Sequence, residues 1–206
     1  GSAFVWAEVA CWAMRRVRRP YILTLHGGDL PAFSKRWPRR VRRLLTSAYA
    51  VTVPSQYLYE QMRVYRNDLI VLPNAIDLNC YSFRHRRIPV ARLVWIRAFC
   101  EIYNPSMAPR VIAFLHREFP DIRLVMVGAD KGDGSLQLCR STAKELGVLE
   151  CIEFLGCVPK SAIPDVLDQN DIFINTTNVD NVPVSVIEGM ASGLCIVSTN
   201  AGGLPH

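Results

Sequence analysis

Asp171-Ile172-Phe173-Ile174, a polar loop over 175–183, Val184-Ser185-Val186-Ile187-Glu188-Gly189-Met190-Ala191-Ser192 and then Cys195-Ile196-Val197 decide the fold. Two short apolar runs flank a helical pattern that Pro183 is suited to open, which is the signature of a βαβ unit. The same alternation extends back to the start of the chain. Apolar runs at 21–25, 49–53, 69–72, 93–96, 123–127 and 151–154 predict further strands. Helices are predicted at 4–18, from Trp37-Pro38 onward, at 56–65 behind Ser55 as N-cap, at 106–118, at 135–146 and at 160–168. Alternating strands and helices imply an α/β protein with parallel sheets, whose ligands bind at the carboxyl ends of the strands. The stretch 76–90 has no clean periodicity and is the expected domain boundary.

Composition narrows the class. The 206 residues carry a net charge of +6, are 50% hydrophobic and 20% charged, which excludes a disordered chain. No apolar run approaches the ~20 residues of a membrane-spanning helix. The start, Gly1-Ser2, shows no leader pattern and reads as a cloning remnant or the edge of a fragment. Seven scattered cysteines without a C-x2-C pair are expected to be reduced core residues of a cytosolic protein.

Charge divides unevenly: residues 1–90 hold 15 Lys and Arg against 5 Asp and Glu, and residues 91–206 hold 9 against 13. Basic clusters stand at Arg15, Arg16, Arg18 and Arg19, at Lys35 through Arg43, and at Arg84, Arg86 and Arg87. Val41, Leu44, Leu45 and Ala48 give the second cluster's helix one apolar face, so Arg39, Arg40, Arg42 and Arg43 take the other. That face is either a solvated helix surface or a site for an anionic membrane or acidic substrate. No nucleic-acid recognition pattern is present.

The loop and helix at 180–193 carry the chemistry. A helix start offers free N–H groups and a positive dipole end, so phosphate oxygens would meet Val184 and Ser185 there. Glu188, one turn deeper, suits paired sugar hydroxyls, and Asp180 a second polar ring. The bland alternative is a capped surface helix with ordinary acidic residues.

Asp180 to Glu188 resembles the E-x7-E motif of retaining glycosyltransferases of family 4 (glycosyl transferases group 1), and 189–199 resembles the run that follows it. Gly202-Gly203-Leu204-Pro205, Phe154-Leu155-Gly156, Leu72-Pro73-Asn74-Ala75-Ile76-Asp77 and His26-Gly27 are similar to further family motifs, in the same order. The resemblance implies the two-domain GT-B fold, with both Rossmann-like parallel-sheet domains incomplete. Residues 1–88 would then be the end of the acceptor-side domain plus linker, and 89–206 most of the nucleotide-sugar domain.

By the same resemblance, Glu188 would bind the donor ribose, Asp180 the hexose and Arg97 the diphosphate. Pro183, Val184, Ser185 and Gly203 would line the donor, Gly128, Gly156 and Val158 would lie by the base, and His26 would face the donor sugar. The implied activity is a cytoplasmic, peripheral-membrane hexosyltransferase of polysaccharide biosynthesis, moving a sugar to a glycan or lipid-linked acceptor. It would need no cofactor and no metal, since no Asp-x-Asp pair stands ready to hold one. A sugar-nucleotide 2-epimerase on this fold and an inactive nucleotide-sugar-binding module are the alternatives. Three departures from the family pattern stand out. Asp180 is one methylene shorter than Glu, Ala75 replaces a Gly, and Ile102 and Tyr103 occupy the region of an expected Lys, with Lys131 a distant replacement.

Overall fold

A computed structural model of the chain describes residues 2–204. They form two compact α/β units. The first comprises the chain up to Asn74 together with 180–182 and 202–204. The second comprises Ala75–Val179 and Pro183–Ala201, so the aperiodic stretch 76–90 packs as part of it.

In the first unit, β1 (Ile22–Thr24), β2 (Ala50–Val53) and β3 (Ile70–Val71) form a parallel sheet in that order. Helices α1 (Ser2–Arg16), α2 (Leu30–Arg36), α3 (Pro38–Ser47) and α4 (Gln56–Met62) surround it. The expected stripe is buried: Val41, Leu45 and Ala48 pack with Leu25, Val51 and Leu58, and Leu44 is buried beside them in sequence. Ser55 caps α4 as its position implies, its hydroxyl accepting the Leu58 N–H at 3.1 Å.

Two features of this unit differ from the sequence reading. Helix α1 stops at Arg16, before the expected 18, because Arg18 takes a left-handed backbone with φ 52. Lys35 and Arg36 belong to α2, a separate helix, and not to the arginine-rich α3. Pro38 disfavours helical backbone at Trp37, which sits at φ −130 and ψ 54 and separates the two.

In the second unit, β4 (Arg92–Ile96), β5 (Arg123–Val127), β6 (Ile152–Gly156), β7 (Ile172–Asn175) and β8 (Cys195–Ser198) form a parallel sheet. Its strand order is β6-β5-β4-β7-β8. Helices α5 (Met107–Leu115), α6 (Ser135–Glu145), α7 (Ile163–Asp168) and α8 (Val184–Ala191) connect the strands. The order reverses between β4 and β7, and the crevice at such a switch point is where α/β sheets hold ligands. Leu93, Trp95, Phe99, Ile112, Leu124 and Met126 form the core. The Trp95 indole N–H is satisfied inside it by Thr176 Oγ1 at 2.9 Å.

All seven cysteines are free, but only three are core residues and Cys100 is half-buried. Cys11, Cys139 and Cys151 are buried, whereas Cys80, Cys157 and Cys195 are exposed. Cys195 opens the edge strand β8, Cys157 follows β6 in a turn, and Cys80 closes a short 3-10 turn, so none has a second layer over it.

The third basic cluster is also rearranged. Arg86 is buried, and its guanidinium donates to Asp171 Oδ1 and to the carbonyls of Asn170, Leu167, Arg84 and Ser192. Arg84 reaches the same carboxylate at 3.0 Å. Both arginines thus serve to fasten the stretch 84–90 to the second unit. Burial pushes the Asp171 carboxyl up, and the Val90 N–H with Arg84 and Arg86 more than reverses this, holding it below its ordinary value.

Candidate functional site

The second unit has a cavity of about 520 Å³ at the carboxyl ends of its strands. Arg97, Ala98, Cys100 and Tyr103 line it from the loop after β4. Gly128 and Lys131 come from the loop after β5, Cys157 and Val158 from the turn after β6, Ile163 from α7 and Ser185 from α8. Four expected donor-site residues, Arg97, Gly128, Val158 and Ser185, therefore meet at one place.

Backbone geometry explains how the two loops converge. Gly128 adopts φ +152, and a Cβ there would lie 1.7 Å from the Arg97 carbonyl oxygen. Only glycine allows β5 to pass so close to the end of β4. The 129–133 loop is then lashed to the 97–101 loop: Phe99 N–H donates to Ala129 O at 2.8 Å and Lys131 N–H to Phe99 O at 3.1 Å. Asp133 adds one more tie, accepting the Glu101 N–H, and its other oxygen accepts the Ser135 N–H at the start of α6.

These ties bring Arg97 and Lys131 to the same cavity. Tyr103 holds the Arg97 guanidinium over its ring at 4.6 Å from the centroid. Burial pulls that guanidinium below its ordinary pKa, and Tyr103 opposes the shift. The sequence signalled Tyr103 and Lys131 only as departures from a pattern, with no sign that both would line the space around Arg97.

Helix α8 approaches the cavity with its first turn. Pro183 is the N-cap, one position before the helix proper, and its carbonyl accepts the first bonds from Val186 and Ile187. The N–H groups of Val184 and Ser185 precede those bonds and point out of the helix start. Ser185 is buried, and its hydroxyl has no hydrogen-bond partner among the described residues. A buried hydroxyl without a partner is costly unless a ligand or water satisfies it.

Glu188 lies one turn deeper and is 5% exposed. Its Oε1 accepts the Tyr81 hydroxyl hydrogen at 2.8 Å. Tyr81 had no place among the expected site residues, because nothing local to 78–82 marks a partner in α8. Gly156 ends β6 with φ +67 and is exposed.

Asp180, Gly203 and His26 belong to the first unit. The segment 180–182 is held there closely. Gly203 N–H donates to Asp180 O at 3.1 Å, Ser55 Oγ to Asn181 Oδ1 and Asn74 Nδ2 to Val182 O at 2.9 Å. A Cβ on Gly202 would lie 1.9 Å from the Asp180 carbonyl oxygen, so the double glycine makes this approach possible. Pro205, the last residue of the expected Gly-Gly-x-Pro motif, lies outside the described residues. His26 is exposed and lines a cavity of about 340 Å³ with Thr24, Gly27 and Asp29.

Of the four arginines expected on a membrane-facing helix, Arg40 has another role. It is paired with Glu8 of α1 and stacks on Phe4 and Trp37. Hydrogen bonding to Arg40 lowers the Glu8 carboxyl from its ordinary value. Arg39, Arg42 and Arg43 remain exposed. Among the described residues, no helix is long and apolar enough to cross a membrane, and no cluster of His, Cys, Asp or Glu is arranged to hold a metal ion.

Comparison with known proteins bears on this geometry. Residues 97–206 match the family described as glycosyl transferases group 1, and residues 2–79 match glycosyltransferase family 4. A phosphatidylinositol N-acetylglucosaminyltransferase subunit from Arabidopsis thaliana is 28% identical over 147 residues, covering 67% of this chain and 31% of that protein. The putative teichuronic acid biosynthesis glycosyltransferase TuaC of Bacillus subtilis is 25% identical over 193 residues, covering 90% of this chain and 48% of the relative. Anabaena HepE, solved in complex with UDP-glucose, superposes with a TM-score of 0.80 at 18% identity, covering 96% of this chain and 58% of HepE. The chain thus spans from about a third to about three fifths of the length of these proteins.

Proposed function

Because the chain belongs to the glycosyl transferases group 1 family, we propose that it carries the nucleotide-sugar site of a retaining hexosyltransferase acting on a glycan or lipid-linked acceptor. The observation that carries the reading is the convergence of Arg97, Lys131 and the partnerless Ser185 hydroxyl on one cavity at the strand ends. That set suits a diphosphate. Arg97 and Lys131 offset its charge, while the Val184 and Ser185 N–H groups and the Ser185 hydroxyl donate to its oxygens.

Glycosyl transfer breaks the bond between the anomeric carbon and the diphosphate, so negative charge gathers on the departing oxygens. Cations and helix-start donors placed there favour the transition state more than the ground state. Gly156 and Val158 are assigned to the base and Glu188 to the ribose diol. Asp180 and Gly203 are assigned to the hexose, and His26 to the reacting face of the sugar. The chemistry assigned to these residues requires no metal. HepE is solved with UDP and with UDP-glucose, which makes UDP-sugars the first donors to test.

Calorimetry with UDP-glucose, GDP-mannose and ADP-glucose tests the donor site. One of them is expected to bind, and Glu188→Ala and Lys131→Met are each expected to weaken it by ~1.5–3 kcal/mol, the scale of hydrogen bonds to charged groups. If none of the three binds, the donor-site reading fails.

The arginine face of α3 is proposed to meet an anionic membrane surface, with Arg39, Arg42 and Arg43 as its contacts, since Arg40 is engaged by Glu8. Neutralising those three is expected to reduce co-sedimentation with phosphatidylserine vesicles, most visibly at low salt. Equal sedimentation of both proteins would assign the face to solvent.

A further inference from the structure

We propose that Tyr81 is a positioning residue for the donor site: its hydroxyl holds Glu188 Oε1 so that the carboxylate presents its remaining acceptor positions to the ribose hydroxyls. The proposal rests on the assignment of Glu188 to the ribose.

The chain brings Tyr81 to this point by a short built structure. Asp77 caps the 3-10 turn Leu78–Cys80, its side chain accepting the Asn79 N–H at 3.1 Å. Tyr81 follows as the C-cap in extended backbone. Beyond it, Arg84 N–H donates to Ser192 O at 3.3 Å, and the Arg86 guanidinium donates to the same carbonyl. A Cβ on Gly193 would lie 2.5 Å from the Arg84 carbonyl oxygen. The stretch 81–86 is therefore seated along α8 at two points, Tyr81 on its second turn and Arg84 with Arg86 at its end.

A carboxylate as buried as Glu188 requires hydrogen-bond donors, and the structure supplies one from Tyr81. One donor on one oxygen selects a rotamer without exhausting the roughly four acceptor positions of the group. A diol donates two hydrogens, so an oriented carboxylate can receive both. Tyr81 also remains a donor throughout the physiological range: burial, followed by the Glu188 carboxylate, pushes its phenol well above the ordinary value. A phenylalanine here would fill the same space and leave Glu188 to find its own orientation.

The test is Tyr81→Phe, read by calorimetry with UDP and with 2′,3′-dideoxy-UDP, and in parallel with GDP and ADP and their dideoxy analogues. Wild-type protein is expected to bind one ribonucleotide and to bind its dideoxy form at least tenfold more weakly. Tyr81→Phe is expected to lose about fivefold or more on the ribonucleotide and less than twofold on the dideoxy form. Equal losses on both forms, or no loss, would overturn the positioning role while leaving Glu188 in place. If wild-type protein binds none of the three ribonucleotides, or does not distinguish the one it binds from its dideoxy form, the ribose assignment fails and this proposal with it. A cycle with Glu188→Ala, which leaves the Tyr81 hydroxyl no acceptor at position 188, guards against a general defect. In that background Tyr81→Phe is expected to cost nothing further, and a loss as large as in wild type would also overturn the proposal.

Discussion

Alanine at position 128 is expected to destabilise the protein by about 4 kcal/mol or more, a size that single substitutions reach only through a named structural conflict. The conflict is with main chain. The new Cβ would lie 1.7 Å from Arg97 O and 2.5 Å from Arg97 C, in a residue whose φ of +152 already disfavours a side chain. Neither contact can be relieved by rotating a flexible group. The end of β4 or of β5 must move, and these are interior strands that pair from Arg92↔Arg123 to Ile96↔Val127. Urea denaturation followed by tryptophan fluorescence measures the effect, since Trp95 lies in the core next to the conflict. Nucleotide binding is expected to fall with it, because Arg97 and Gly128 line the same cavity. An unchanged urea midpoint would show that the approach of the two loops is less close than described.

Arg86→Ala is expected to cost about 3–5 kcal/mol, the range for removing one partner of a buried ion pair. The loss leaves Asp171 with Arg84 and the Val90 N–H and strips donors from the Asn170 and Ser192 carbonyls. Arg86→Lys keeps the charge without the planar fork and is expected to fall between alanine and wild type. The effect depends on pH with a definite sign. Asp171 has a folded pKa below its unfolded one, so the stability it contributes is present above the ordinary carboxylate range. It is lost as pH falls through the lowered value. The gap between wild type and Arg86→Ala is therefore expected to be wide at pH 7 and narrower at an acid pH below the lowered Asp171 value. Urea midpoints at both pH values read this directly, and a gap independent of pH would assign the cost to lost carbonyl contacts alone.

Most strands were legible as sequence because parallel strands covered on both faces read as unbroken apolar runs. Leu93-Val94-Trp95-Ile96 and Leu124-Val125-Met126-Val127 needed no other signal. Helix α2 escaped notice for a local reason. It has seven residues, carries Pro31 in its first turn and follows Gly27-Gly28-Asp29, all of which read as loop. In the candidate site, Ser185 was legible from its place at a helix start, whereas Arg97, Gly128 and Val158 were marked only through the family resemblance. Tyr81 was marked by neither, because its partner is 107 positions away along the chain.

The sequence by itself determined the alternation of strands and helices, the parallel sheets and the place of the loops at the strand ends. Each of these follows from periodicity, capping and turn chemistry acting over a few residues. Only the tertiary structure decided what each charged or polar group meets. Lys131 came to line the same cavity as Arg97, while Arg86 became a buried clamp on Asp171, Arg40 was engaged by Glu8, and Tyr81 came to hold Glu188. Those partnerships depend on which distant segments the folded chain brings within about 3 Å of one another, the hydrogen-bonding range, and no local pattern of residues encodes that.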